Sequence, residues 1–390
     1  MICKATDASD TLPFKGYFRP RFIYVERSVE AEPMVRAILE RFPDALVYEI
    51  EDHRSLKTSE VPLRGFSREA KRQVLILART TGAFIRPFQG GRSGRGAPPQ
   101  FFIAHANGCP FDCQYCFLQA YLPHSVPVVF ANQDELFEEL ARHIQAAEPG
   151  TWYHAGELSD ALALEPVSGF ASRAISVFGR SPHVTLELRT KCSGVASVVP
   201  AEPPPNIVIT WTLTPKEVAR SLEHGAACIE ERLASAVRCK HIGYRVGFRL
   251  DPLIRCEGWE RRYSEVIESV FAALEPHQID SIVLGAFRYS PALATMIKER
   301  FPGSPLLLDE FVLCADGKFR YFRPLRRALY RSVVREIRRF SPSVPVALCM
   351  ETEEMEQEVF GGEGSARGCT ARQAEVGSSP ACGTARVPVP

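Results

Sequence analysis

The chain has almost no net charge: 47 lysines and arginines stand against 46 aspartates and glutamates, a formal +1 over 390 residues. That excludes a general affinity for polyanions, so any nucleic-acid surface has to be a local patch. Long apolar stretches are missing as well. No run of about 18 apolar residues occurs, and no membrane span is expected. The opening MICKATDASD has no basic start followed by an apolar stretch, so no signal peptide is expected either. The 12 cysteines are too thinly spread for a small secreted disulfide scaffold. These absences point to a cytoplasmic protein. What is present, 45% hydrophobic and 24% charged side chains, suits one large globular domain or two modest ones.

Residues 21–50 read as a small strand-helix-strand unit: RFIYVE, a helical stretch around MVRAILERF, then ALVYEIE. The segment QGGRSGRGAPPQ at 89–100 is rich in glycine and proline and marks a linker, with Arg92 and Arg95 as possible backbone contacts to nucleic acid. Residues 1–99 are therefore expected to form an N-terminal α/β unit with a Gly-rich linker. Short β-type runs then recur at 100–106, 151–156, 183–190, 206–214, 244–251 and 280–289, with helical stretches between them. This alternation predicts an α/β domain over residues 100–310, either an open or partial barrel or a doubly wound sheet, with chemistry at the carboxyl ends of the strands. Residues 311–350 form a basic region. Residues 351–390, acidic and then rich in Gly, Ala, Ser, Pro and Arg, are expected to be a disordered tail.

In NGCPFDCQYCFLQAY the thiols Cys109, Cys113 and Cys116 follow the first β-type run of the α/β domain in a CxxxCxxC spacing. Three thiolates on one loop can bind three irons of a four-iron cubane and leave the fourth iron open to a substrate or cofactor. Zinc is the competing metal. A closed zinc site wants a fourth Cys or His, for which His105 and His124 are nearest in sequence.

CxxxCxxC with an aromatic, Tyr115, before the last cysteine resembles the radical S-adenosylmethionine superfamily. More narrowly, GCPFDCQYCFLQAY, GELSDALALE, RTKC, the stretch from Thr212 to Arg232 and GFRLDPLIRCEGWERRY resemble the spore photoproduct lyase family, in order and at similar spacing over residues 18–350. The resemblance implies a partial (β/α)6 barrel, a [4Fe-4S] cluster on the three cysteines, S-adenosylmethionine, and an electron donor such as flavodoxin or ferredoxin. It implies repair of the methylene-bridged thymine dimer of ultraviolet-irradiated DNA. A radical made from the cofactor removes a hydrogen from the lesion, the bridge breaks, and a protein thiol returns a hydrogen. Carried over by position, Ser159 and Asp160 match residues at the methionyl end of the cofactor, Lys191 and Thr212 match groups at its carboxylate, and Tyr115 matches an aromatic beside it. An ammonium and a hydroxyl suit a carboxylate, and an aspartate suits an α-ammonium.

Two positions depart from the family pattern. Glu157 stands where the family has its hydrogen-donor cysteine, and Phe117 stands where it has a second tyrosine of the radical relay. A carboxylic O–H is too strong and a phenyl ring has no phenolic hydrogen, so neither can take over the role. Another thiol could. Cys192 follows Lys191, but successive strand residues face opposite sides, which turns it away if Lys191 faces the cofactor. Cys256, in the loop after YRVGFRLD, is the better candidate, and Asp251, expected as a further cofactor-binding residue, replaces an apolar family residue at the same mouth. Glu157 is either a proton carrier or substrate ligand, or a solvated loop residue. With Asp251 it would make the mouth acidic.

From 318 to 340, KFRYFRPLRRALYRSVVREIRRF carries Lys318, Arg320, Arg323, Arg326 and Arg327 among nine cations, with aromatics interleaved. It is expected either to hold DNA phosphates and stack on bases or to be a solvated basic helix face. Three functions follow: photoproduct repair, radical chemistry on another nucleic acid or small molecule, or DNA binding with a structural cluster.

Overall fold

A computed structural model describes residues 18–56, 73–88, 98–121, 124 and 126–361. Arg92 and Arg95 lie outside the described residues.

The main sheet has eight strands. From one edge they run Ile85–Pro87, Gln100–Ile103, Trp152–Ala155, Thr185–Thr190, Ile207–Thr212, Arg245–Leu253, Ile279–Ala286 and Val346–Leu348. The first is antiparallel to its neighbour and the other seven are parallel. Each parallel strand is added beside the one before it in sequence. A doubly wound sheet would instead reverse its order at a switch point, so the architecture is the curled partial barrel. Its central strands are largely buried, as in Ile207–Thr212, where four of six residues are apolar and the two threonines are buried with them. That is the composition of parallel strands covered on both faces. Helices Gln133–Gln145, Phe170–Gly179, Ile229–His241 and Trp259–Ala273 connect the strands and cover the outside. Two strands lie beyond the six expected: Ile85–Pro87 and Val346–Leu348, each three residues long.

A second, five-stranded sheet runs Leu46–Ile50, Phe22–Glu26, Val74–Ala78, Val128–Phe130, Ala106–Asn107. Helix Pro33–Arg41 seats Val35 and Ile38 on it against Ile23, Val25, Leu75 and Leu77. The strand-helix-strand unit read from residues 21–50 is present here. The two sheets exchange strands across Gln100: Ile85–Pro87 joins the barrel, while Ala106–Asn107 and Val128–Phe130 complete the smaller sheet. The chain crosses between the sheets on either side of Gln100, between Ala78 and Ile85 and again between Ile103 and Ala106, so the two sheets are not separately packed bodies divided there.

The expectation of a disordered tail from residue 351 needs correcting. Glu353–Phe360 is a helix, capped where the Thr352 hydroxyl accepts from the Met355 amide, and it buries Met355 and Val359. One of its glutamates, Glu358, faces the basic helix Arg323–Phe340. Glu358 accepts from Arg323 and Arg327 through its carboxylate and from Arg331 through its carbonyl. Residues 362–390 lie outside the described residues.

Two buried histidines set an acid limit on stability. Burial drives the His105 imidazole down to about 3, and burial with the neighbouring His53 drives His124 down to about 4. In the unfolded chain each takes up a proton near pH 6.5. Between those values the unfolded state binds more protons, so stability is complete above about pH 6.5 and is lost as pH falls toward the folded values. Near pH 5.5 the expected loss is about 1.4 kcal/mol per histidine. It would appear as a lower urea midpoint than at neutral pH, and equal midpoints would refute it.

Candidate active site

The carboxyl ends of the barrel strands surround a cavity of about 440 Å³, and the loop after the first parallel strand, Gln100–Ile103, forms one wall. That loop carries Cys109, Cys113 and Cys116, all on the cavity. It is held from three sides. Asp112–Cys113 pairs antiparallel with Glu223–His224, Arg300 reaches Asp112 at 3.0 Å, and Gln119 donates to Asp112 at 2.9 Å. Burial raises all three thiols, Cys113 to about 12, with Lys191 opposing for Cys113 and Cys116. They therefore become thiolates only when a cation coordinates them.

The sulfurs fit a cluster better than a single ion. The one set of three metal-ligating side chains among the described residues with ligand atoms all within 4.8 Å of one another is Glu26, Asp52 and His53, away from the cysteines. A tetrahedral zinc with bonds of about 2.3 Å needs its sulfurs closer together than that limit. The two histidines nearest in sequence are also engaged elsewhere. His105 stacks on Phe170 with centroids 3.9 Å apart, and His124 contacts the His53 carbonyl at 3.1 Å.

Behind the thiol loop stands a fully buried frame. Glu223 accepts from the Tyr115 hydroxyl and, at 3.1 Å, from Thr214, and it pairs with Arg232, both side chains being 0% exposed. Arg232 also donates to the carbonyls of Thr212 and Ala227 at 2.9 and 2.8 Å. The frame therefore fixes the Tyr115 ring, the end of the fourth parallel strand and the strand paired with Cys113. Lys191 lies over the Tyr115 ring, 5.6 Å from its centroid. Burial works against its ammonium, but Cys113 and Glu223 outweigh it and raise Lys191 above its ordinary value.

Ser159, Asp160, Lys191 and Thr212 all reach the cavity. The Ser159 hydroxyl is buried there without a hydrogen-bond partner, as expected of a group that awaits a polar ligand. Asp160 is occupied by the protein itself: it accepts from the amides of Leu162, Ala163 and Lys191 and from the Thr190 hydroxyl at 2.7–3.0 Å. It braces the second strand's loop against the third strand and positions Lys191. Cys192 is wholly buried off the cavity, beside Asp160.

The outer half of the cavity holds the departures. Gly156 ends the second strand at φ +111°, with the Arg189 backbone so close that an added Cβ would lie 2.9 Å from its carbonyl oxygen. The next residue, Glu157, meets the Arg189 guanidinium at 3.4 Å. Arg189 also donates to buried Glu187 at 2.8 Å and lies over Phe88, while its Nη2 has no partner. Asp251 is opposed by burial but held far below the carboxylate range by Arg288 and Arg249, at 3.3 and 3.1 Å. Gly285 gives Asp251 room, since a Cβ there would sit 2.4 Å from its carboxyl carbon.

Two expectations are corrected here. The mouth is not acidic: Arg189, Arg249, Arg288 and Lys318 line it against Glu157 and Asp251, which they neutralise. Asp251 is thus an anchor for two arginines and not an open cofactor ligand. Cys256 is not on the cavity wall, and half-buries against the core instead. The thiol that does reach the wall is Cys349, which the sequence reading missed along with Arg249, Arg288 and Tyr289. Phe117 lines the cavity edge-on to Tyr121, ring centroids 6.0 Å apart.

The basic segment is mostly engaged internally. Arg320 is chelated by Asp316 at 2.7 and 2.8 Å, and Arg323 and Arg327 pair with Glu358. Arg326 is buried against Glu351 at 3.1 Å, so as placed it does not face a phosphate. Of the five candidate DNA cations, Lys318 alone lines the cavity. It sits in the hairpin Phe311–Leu313/Phe319–Tyr321, which stacks Phe319 on Tyr289 and exposes Val312 and Leu313.

No described helix is long and apolar enough to cross a membrane. Comparison with known proteins gives a family match, spore photoproduct lyase, over residues 18–324. The spore photoproduct lyase of Geobacillus sp. (strain Y412MC61) is 24% identical over 84% of this chain and 98% of its own length, and that of Bacillus subtilis (strain 168) is equally so. A solved spore photoproduct lyase variant with bound AdoMet and dinucleoside spore photoproduct superposes with a TM-score of 0.72 at 22% identity, covering 84% of this chain and 98% of that one. The family is one of radical S-adenosylmethionine enzymes that use a [4Fe-4S] cluster. Because the match takes in the smaller sheet, seven of the eight strands of the main sheet, the thiol loop and the hairpin, this chain belongs to the spore photoproduct lyase family.

Proposed function

We propose that this enzyme repairs the methylene-bridged thymine dimer in DNA by a radical reaction in the barrel cavity. The cluster and S-adenosylmethionine, when bound, supply the hydrogen-abstracting radical. Cys109, Cys113 and Cys116 hold the cluster. Lys191 and Thr212 meet the cofactor's carboxylate and Ser159 its methionyl end, while Asp160 and the Glu223–Arg232 pair keep these groups in place. Tyr115 stands beside the cofactor with its phenol fixed on Glu223. An electron donor of flavodoxin or ferredoxin type completes the proposal.

The observation that carries the repair reading is the cationic outer half of the cavity. Arg189, Arg288 and Lys318 suit the phosphodiester that links two thymidines, and the hairpin places exposed Val312 and Leu313 beside them. The test is anaerobic turnover of the reconstituted protein with dinucleotide spore photoproduct, S-adenosylmethionine and dithionite, scoring thymine repair and deoxyadenosine together. Both products are expected. Deoxyadenosine without repair would overturn the repair reading and favour another substrate, one for which Glu157 serves as ligand.

Lys318 and Arg326 should behave differently on duplex DNA. Lys318→Ala is expected to make the slope of log affinity against log salt shallower by about 1. Arg326→Ala is expected to lower the unfolding midpoint and leave that slope alone. Equal slopes for wild type and Lys318→Ala would remove Lys318 from the phosphate contacts.

A further inference from the structure

Four thiols line the central cavity among the described residues: the three of the cluster loop and Cys349. Cys349 follows the last parallel strand, Val346–Leu348, and its amide donates to the Leu284 carbonyl at 2.7 Å, which fixes it at a strand end like the other site residues. Its sulfur lies 3.2 Å from Arg249 Nη2 and 3.7 Å from Arg288 Nη2. The same two guanidiniums hold Asp251, to which the thiol hydrogen-bonds. Burial and Asp251 push the thiol up to about 11 against the pull of Arg249 and Arg288. At neutral pH it therefore keeps its S–H bond.

The cavity shared by Cys349 and the cluster loop is built to receive a ligand. Arg189, more than nine-tenths buried, lines it with Nη2 unpartnered, and Ser159, buried as deeply, lines it with an unpartnered hydroxyl. Two polar groups so buried mark a space meant to be filled by polar ligand atoms.

We propose that Cys349 is the hydrogen-atom donor that ends the radical reaction in this enzyme. The inference rests on the repair reading. Breaking the bridge of the lesion leaves a carbon-centred radical on the product. The Cys349 S–H bond breaks homolytically, its hydrogen forms the new C–H bond, and the unpaired electron passes from carbon to sulfur, with no electron gained or lost. Glu157 has no bond weak enough for this step, and Cys256 and Cys192 do not line the cavity. Arg249, Arg288 and Asp251 act as positioning residues that hold the thiol toward the cavity.

The decisive experiment runs the turnover in deuterium oxide, where a thiol exchanges its hydrogen and carbon-bound hydrogens do not. Wild type is expected to yield thymine with one deuterium in the methyl group. Cys349→Ala and Cys349→Ser should still form deoxyadenosine and bind the dinucleotide photoproduct with an unchanged Kd, while labelled thymine falls on the order of 100-fold. The serine variant keeps the size and polarity of the side chain, which separates chemistry from packing. Labelled repair retained in either variant, or wild-type repair without label, overturns the assignment of Cys349 and leaves the repair reading standing. Deoxyadenosine without any repair by wild type removes the repair reading, and Cys349's role with it.

Discussion

Cys113→Ala is expected to reduce iron in the reconstituted protein to background and to abolish deoxyadenosine formation, while lowering the stability of the metal-free protein by only about 1 kcal/mol. The disparity follows from where the sulfur sits. Cys113 pairs through its backbone with Glu223, and that ladder survives a change of side chain. Its thiol faces the cavity with Cys109 and Cys116, and two thiolates cannot hold what three were placed to hold. Cys256→Ala is the matched control. Cys256 is off the cavity wall, so iron and deoxyadenosine should both be retained. Iron and deoxyadenosine at wild-type levels in Cys113→Ala would overturn the cluster assignment.

Arg232→Met should show the opposite order of effects, with stability lost first and cluster loading lost as a consequence. Both members of the Glu223–Arg232 pair are fully buried. Removing the guanidinium leaves a buried carboxylate uncompensated and the carbonyls of Thr212 and Ala227 without their donor. Breaking one partner of such a pair costs about 3–5 kcal/mol, a large part of the roughly 5–15 kcal/mol that holds a domain folded. Urea unfolding of the metal-free protein measures it. A double variant, Glu223→Leu with Arg232→Met, separates loss of charge balance from loss of packing, and should recover part of the deficit because the Glu223 carboxylate is no longer stranded, while Lys191 loses one of its anions. An Arg232→Met midpoint equal to wild type would mean that the pair is not the frame of the thiol loop.

Long, regular patterns and local motifs were legible in the sequence. The six main barrel strands and the helices between them announce themselves through β-branched and aromatic runs alternating with helical periodicity. Cys109, Cys113 and Cys116 lie within eight residues, so their meeting needs no knowledge of the fold. Cys349 gave no such signal. It follows a three-residue strand in a segment of serine and proline, and it reaches the cavity only because that strand joins a sheet whose other members lie 60 or more residues earlier. The sign of the mouth was misread for a related reason. Glu157 and Asp251 are visible as carboxylates, but neutralisation by Arg189, Arg249 and Arg288 depends on which side chains share a strand face across three strands. The basic segment was misjudged in the other direction: its arginines looked available because Glu351 and Glu358, in a stretch read as tail, fold back onto them.

The exchange of strands between the two sheets has a consequence for synthesis. The smaller sheet starts with Phe22–Glu26 but needs Val128–Phe130, more than a hundred residues later, to be completed. During translation, at roughly 5–20 residues per second, its first strands must wait several seconds as an incomplete edge. The thiol loop is strung between Ala106–Asn107 and Val128–Phe130, and it takes its final form only when Glu223–His224 pairs with it. Iron therefore meets a finished pocket late, after more than half of the polypeptide has been made.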